Sequence, residues 1–123
     1  LKRDVRTKRL LIEAKTTERA VYYAQVTELR HLAVQAFQEG RVPAFIMQIR
    51  DHEEVVLMPE DEIFELSGED PPETITGVPV VGSMGVSEDL VHTVINGQAV
   101  RYCVGDIPYI LMGYEAFITL VKP

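Results

Sequence analysis

The chain has 123 residues, of which 46% are hydrophobic and 25% charged, enough for one folded unit with a real core and too apolar for a disordered tail. No apolar run approaches the ~20 residues that span a bilayer, so no membrane partner is expected. The charged start Leu1-Lys2-Arg3-Asp4 lacks the apolar stretch of a secretory signal. A single cysteine, Cys103, excludes an internal disulfide and a cysteine-built zinc cluster, and a reducing, cytoplasmic setting is expected. His31, His52 and His92 are scattered without ligand spacing and read as surface or satisfied polar residues. The net charge of −7 argues against a nucleic-acid partner until its distribution is considered. Residues 1–20 hold seven basic side chains against three acidic ones, so the field that attracts a phosphate backbone is local and the remainder is strongly acidic.

In chain order, Asp4-Val5 and the segment from Arg9 to Lys15 read as two strands of a hairpin that turns near Arg6-Thr7-Lys8. On the second strand Leu10, Ile12 and Ala14 share one face, while Leu11, Glu13 and Lys15 share the other. A helix follows from Gln25 to Glu39, with Val26, Leu29, Ala33, Ala36 and Phe37 at three- and four-residue steps, Leu32 widening the stripe, and Gly40 as its stop. Val42–Ile49 is a nearly continuous apolar strand suited to a central position. Glu54–Met58 returns as a strand, and Pro59 opens a short acidic helix from Glu60 to Leu66.

Residues 67–76 are acidic, carry Pro71-Pro72, and read as a linker or surface loop. Beyond them, Val91–Ile95 and Ala99–Val104 flank Asn96-Gly97, the strongest short hairpin signal. The ending, Tyr109–Met112 and then an amphipathic stretch from Gly113 to Leu120, echoes Val55–Met58 followed by Pro59–Leu66; this is a repeated strand-helix unit or coincidence, and over so few residues coincidence is the preferred reading.

Phosphodiester hydrolysis needs a divalent metal that activates water and offsets charge on the phosphate. Magnesium prefers carboxylate and carbonyl oxygens. Asp4 and Glu13, brought together by a hairpin, with the Ala14 carbonyl between Glu13 and Lys15, make such a donor set. Strand alternation places Lys15 on Glu13's face, where it can orient or deprotonate the attacking water or stabilise the pentavalent phosphate.

The run from Asp4 to Thr17 resembles the D-V…(L/I)-I-E-x-K-(S/T)-T signature of the PD-(D/E)xK nuclease superfamily, and the order of elements over residues 3–66 is most similar to archaeal-type and phage Holliday junction resolvases. The resemblance implies Asp4 and Glu13 as metal ligands, Lys15 as the catalytic lysine, and Mg2+ or Mn2+ as cofactor. It implies a restriction-endonuclease-like α/β core with a mixed central sheet flanked by helices, in which the Glu13 strand and Val42–Ile49 are parallel neighbours joined by the helix. The relatives' upstream helix bearing a glutamate has no counterpart ahead of Leu1: it lies upstream, another carboxylate substitutes, or the domain is impaired.

The organisation expected is a nuclease-like core over residues 1–66, the linker over 67–76, and a β-rich extension over 77–123. Arg3, Arg6, Lys8, Arg9 and Arg19 are the candidate phosphate contacts, with Thr16 and Gln25 as accessory site residues and Tyr22 and Tyr23 as candidates for base stacking. The expected partner is four-way or otherwise branched DNA bound by a homodimer. The competing expectation is a non-catalytic DNA-binding or assembly module on the same core.

Overall fold

Two strands on either side of a long helix set the frame. The structure, a computed structural model, describes residues 9–121. Strand β1 (Leu10–Thr17) is followed by β2 (Val21–Gln25), helix α1 (Val26–Glu39) and strand β3 (Val42–Ile49), and β1 pairs parallel with β3, Glu13 lying opposite Phe45. This is the crossover expected from the sequence. Helix α1 forms because Leu29, Leu32 and Ala36 recur on one face and are buried there. It ends at Gly40, whose left-handed backbone (φ 67°) lets its N–H reach the Ala36 and Phe37 carbonyls. Phe37, counted in the apolar stripe, is instead 87% exposed.

The chain continues through β4 (Val55–Pro59), α2 (Glu60–Ser67), β5 (Thr74–Thr76), β6 (Ser83–Ser87), α3 (Glu88–Ile95), β7 (Ala99–Val104), β8 (Ile107–Gly113) and α4 (Tyr114–Val121). The main sheet has six strands in the order β1-β3-β4-β8-β7-β5, and β2 pairs antiparallel with β6 in a separate ribbon. The sheet is mixed, with parallel pairs at both ends and antiparallel pairs between. Strands from residues 77–123 thus stand in one sheet with those of residues 1–66.

Both faces of this sheet are covered, which is why its central strands are apolar at successive positions. One face sends Phe45, Met47, Leu57 and Leu111 against Leu29 and Leu32 of α1 and Val91 and Val94 of α3. The other sends Ile46, Val56, Met58, Ile110 and Met112 against Ile63 and Leu66 of α2 and Phe117 and Val121 of α4. The result is a mixed α/β domain of three layers, as the sequence led us to expect.

The second half departs from expectation in detail. Val91–Ile95 lies in α3, not in a hairpin strand, and Asn96 is that helix's C-cap. Ser87 starts the helix, its hydroxyl accepting the Leu90 N–H at 3.2 Å, and Glu88 and Asp89 suit the positive end of the helix dipole. Burial of Val91 and Val94 then outweighs the β-preference of a Val-His-Thr-Val-Ile run. Strands β2 and β6 were not foreseen, and β5 occupies the end of the segment read as a loop.

Candidate functional site

Three side chains from two elements meet on the α1 side of β1. Leu11 packs into the core on that face, so alternation carries Glu13 and Lys15 to the same side, toward α1. The Lys15 ammonium lies 3.4 Å from the Glu13 carboxylate and 3.6 Å from that of Glu28. Glu28 stands in the first turn of α1, a position where a carboxylate is favoured by the helix dipole. Its carboxylate accepts the Gln25 backbone N–H at 3.0 Å and the Tyr22 hydroxyl at 3.3 Å. Two neighbours therefore fix its orientation. Glu13, Lys15, Glu28, His31, Leu32 and Gln35 line an open hollow of about 190 Å³.

The electrostatics of the lysine are one-sided. Its pKa is raised above the ordinary 10.5, first by the hydrogen bond to Glu13 and then by that residue's charge, with Tyr22 and Glu28 adding to the shift and desolvation opposing it. At neutral pH Lys15 is an ammonium. Of the roles open to it in the sequence, proton acceptor is the one this environment disfavours, and charge stabilisation the one it favours. The Tyr22 hydroxyl is also raised, chiefly by burial and next by the charge of Glu28, so it remains a hydrogen-bond donor.

Backbone phase bears on the Ala14 carbonyl. The Arg9 and Thr17 carbonyls accept from Val42 and Arg50, so the β1–β3 ladder uses the odd-numbered carbonyls of β1. The Ala14 carbonyl is out of phase with that set and faces the outer edge of β1, where the described residues place no neighbouring strand. Glu13, Glu28 and this carbonyl are all hard oxygen donors of the kind that magnesium or manganese takes. Their chemistry fits such an ion. Among the described residues, however, no three His, Cys, Asp or Glu side chains form a ready-made metal cage.

The other candidates are placed variously. Asp4, Arg3, Arg6 and Lys8 lie outside the described residues. The Arg9 guanidinium donates to the Leu66 carbonyl at 2.7 Å, so it is engaged with the C-terminal turn of α2 rather than presented at the hollow. Arg19 is exposed in the β1–β2 turn, its backbone N–H bound to the Thr17 hydroxyl. Thr16 is exposed and, by alternation, on the face of β1 opposite Lys15. Gln25 is the N-cap of α1 and helps hold Glu28. Tyr22 packs near Phe45 with ring centroids 6.3 Å apart, whereas Tyr23 is 60% exposed.

His52 bonds Glu88 at 2.9 Å and meets His92 edge to face, away from the hollow, while His31 lines it. Glu28 is the residue that sequence reasoning missed. Its signal was local: a glutamate at the third position of a helix, three residues after the cap, where it reaches back to the cap's N–H.

No family model and no curated protein matches the chain. Among solved structures it is similar to Hjc, a Holliday junction resolvase from the archaeal hyperthermophile Archaeoglobus fulgidus, at 13% identity and a TM-score of 0.42. The match covers 68% of this chain and 60% of that one.

Proposed function

We propose that the chain is a divalent-metal-dependent endodeoxyribonuclease of the PD-(D/E)xK type that cuts branched DNA, with four-way junctions as its substrate. The observation that carries this reading is the meeting of Glu13, Lys15 and Glu28 at one hollow, with the Ala14 carbonyl at the adjoining strand edge.

When bound, magnesium or manganese supplies water activation and charge neutralisation at the scissile phosphate. Glu13, Glu28 and the Ala14 carbonyl would hold it, together with Asp4 if the hairpin forms as its sequence suggests. Tyr22 and the Gln25 N–H keep the Glu28 carboxylate aimed at the hollow. Lys15, on a flexible stem, transfers its ammonium from the carboxylates to a phosphate oxygen as negative charge builds there. Arg19, with Arg3, Arg6 and Lys8 ahead of it, steers the backbone in. Enzymes of this kind read phosphate positions and shape more than base edges, which suits a chain whose basic residues cluster at one end. Paired cuts across a twofold junction need two copies of the chain, so a homodimer on DNA is part of the proposal.

One observation favours a second reading, a non-catalytic DNA-binding or assembly module. The chain beyond residue 20 is strongly acidic, a field that opposes close approach of a phosphate backbone. A labelled four-way junction and a matched linear duplex, each incubated with magnesium, with chelator, and with Glu13→Ala protein, separate the two. Metal-dependent cuts on the junction alone, lost in the variant, support the resolvase reading. Cuts on both substrates keep the nuclease and discard junction preference. No cuts on either substrate by folded protein favour the module.

A further inference from the structure

The strand order β1-β3-β4-β8-β7-β5 reads the same from either end once each strand is matched to its counterpart in the other half of the chain. Parallel pairs flank it on both sides, β1 with β3 and β5 with β7. At its centre Leu57 pairs with Leu111, Val56 with Met112, and Met58 with Ile110, a register that maps onto itself under a half-turn about the two leucines. The ribbon of β2 and β6 behaves alike, centred on Tyr23 and Gly85. In each half a strand of this ribbon runs straight into a helix, capped by Gln25 in one and Ser87 in the other. In each half a central strand also runs straight into a helix, α2 after β4 and α4 after β8. The echo of Leu57-Met58 in Leu111-Met112, which the sequence alone left looking like coincidence, falls on symmetric positions.

Walking outward from the central pair fixes the remaining equivalences. Leu57 pairs with Phe45, and Phe45 lies beside Glu13. Leu111 pairs with Val100, and Val100 lies beside Ile75. Ile75 therefore stands where Glu13 stands, and Gly77 where Lys15 stands. The third residue of α1 is Glu28 and the third of α3 is Leu90. The residue beside Lys15 is Met47, and by continuation of the β5–β7 register the one beside Gly77 is Tyr102. A Cβ built on Gly77 would fall within the Tyr102 ring's van der Waals envelope.

We propose that the chain is a tandem of two copies of one ββαββα unit, and that only the first copy keeps the carboxylate and lysine side chains at the equivalent site positions. In the second, Ile75, Gly77 and Leu90 replace the carboxylates and the lysine, and the Tyr102 ring occupies the space beside Gly77. The chemical half of this inference rests on the nuclease reading; the duplication does not. One chain then carries two structural lobes and one catalytic centre, and a single chain makes one nick where paired cleavage needs two chains.

A thermal-melting cycle tests the equivalence. Gly77→Lys should lower the Tm by about 5–10 °C in the native background, because the new side chain meets the Tyr102 ring. In a Tyr102→Met background, which copies the Lys15–Met47 pairing of the first unit, the same change should cost less than half as much. Equal loss in both backgrounds overturns the equivalence. If Gly77→Lys does not fold, Gly77→Ala reads the same contact, since the Cβ itself is what collides. A Mn2+ titration followed by electron paramagnetic resonance should give one ion per chain, lost in Glu28→Gln. A bound ion that survives Glu28→Gln overturns the single-centre claim, whereas two ions lost together belong to one centre. No bound ion overturns that claim together with the nuclease reading, and the melting cycle still judges the duplication.

Discussion

Lys15 on β1 and Glu28 on α1 come within 3.6 Å of each other, a pairing that exists only because α1 packs across the β1 edge of the sheet. The Glu28 carboxylate is held from two sides, and a glutamine there retains one oxygen that can accept from Gln25 or Tyr22. Glu28→Gln should therefore keep the fold and lower the Tm by only a few degrees. If Glu28 holds the metal, the same change should lower cleavage by roughly 10- to 100-fold or more through the lost charge. Cleavage and melting curves on one preparation separate the two effects. An unchanged cleavage rate would remove Glu28 from the site.

The raised pKa of Lys15 sets a pH expectation. Glu13 favours the charged form in the folded state, so the folded pKa exceeds the unfolded one. The associated stability is present in full below the ordinary 10.5 and is lost as pH rises through the raised folded value. On the proposed nuclease reading, cleavage should accordingly show no alkaline rise that depends on Lys15 losing its proton. A pH–rate profile of the native chain beside Lys15→Arg checks this. An arginine that retains activity fits a purely cationic role, whereas a Lys15-dependent ascending limb would indicate a base.

Arg9 and Arg19 contrast a structural cation with a candidate DNA-binding one. Its guanidinium donates to the Leu66 carbonyl at the end of α2, where a cation complements the exposed carbonyls and the helix dipole. Arg9→Ala should lower stability by about 0.5–1.5 kcal/mol in urea unfolding. Arg19, exposed and free of such a helix contact among the described residues, is the contrasting case: Arg19→Ala should leave stability within about 0.5 kcal/mol and weaken DNA binding more at low salt than at high. A binding loss for Arg9→Ala matching that of Arg19→Ala, without a stability change, would reverse the assignment.

The first half was legible where apolar periodicity is strong. Leu29, Leu32 and Ala36 mark α1, and the Val42–Ile49 and Val55–Met58 runs mark strands buried on both faces. That Glu13 and Lys15 share one face was legible, because alternation along a strand is a local property. Glu28's capping position had a local signal, but its meeting with Lys15 did not, because that depends on how α1 lies across the sheet, which no window of sequence contains. The second half misled for a related reason. Val91–Ile95 is β-branched and precedes Asn-Gly, so its local preference opposes the helix that burial and the Ser87 cap impose. The proposed duplication is written in ladder registers and burial, with Leu29 and Val91 both buried, and only at Leu57-Met58 and Leu111-Met112 in matching residues.

Leu57 and Leu111 are fully buried at the centre of the sheet. Truncating either to alanine removes apolar contacts from a close-packed face and leaves a cavity, at a cost of about 2–5 kcal/mol each. Because the two residues are cross-strand partners, the double variant should cost less than the two single costs added together, as the second truncation enlarges a void already made. Denaturant unfolding of the four proteins measures this. Simple additivity would place the two leucines in separate packing environments, against the observed register.

Alkaline unfolding should begin with the buried phenols. Burial pushes Tyr109 up to about 12 and raises Tyr102 as well, because a phenolate loses its hydration inside the sheet. The unfolded chain ionises near the ordinary 10.0, so the stability linked to these neutral phenols is intact below that pH and declines as pH climbs toward 12. Tyrosinate absorbance and helical circular dichroism followed together should show Tyr102 and Tyr109 ionising as the helices melt, with Tyr22 also titrating late. Tyr109→Phe, which retains the ring and removes the ionisable group, should shift the alkaline midpoint upward. Ionisation of all five tyrosines near pH 10 with the helices intact would mean that Tyr102 and Tyr109 are open to solvent.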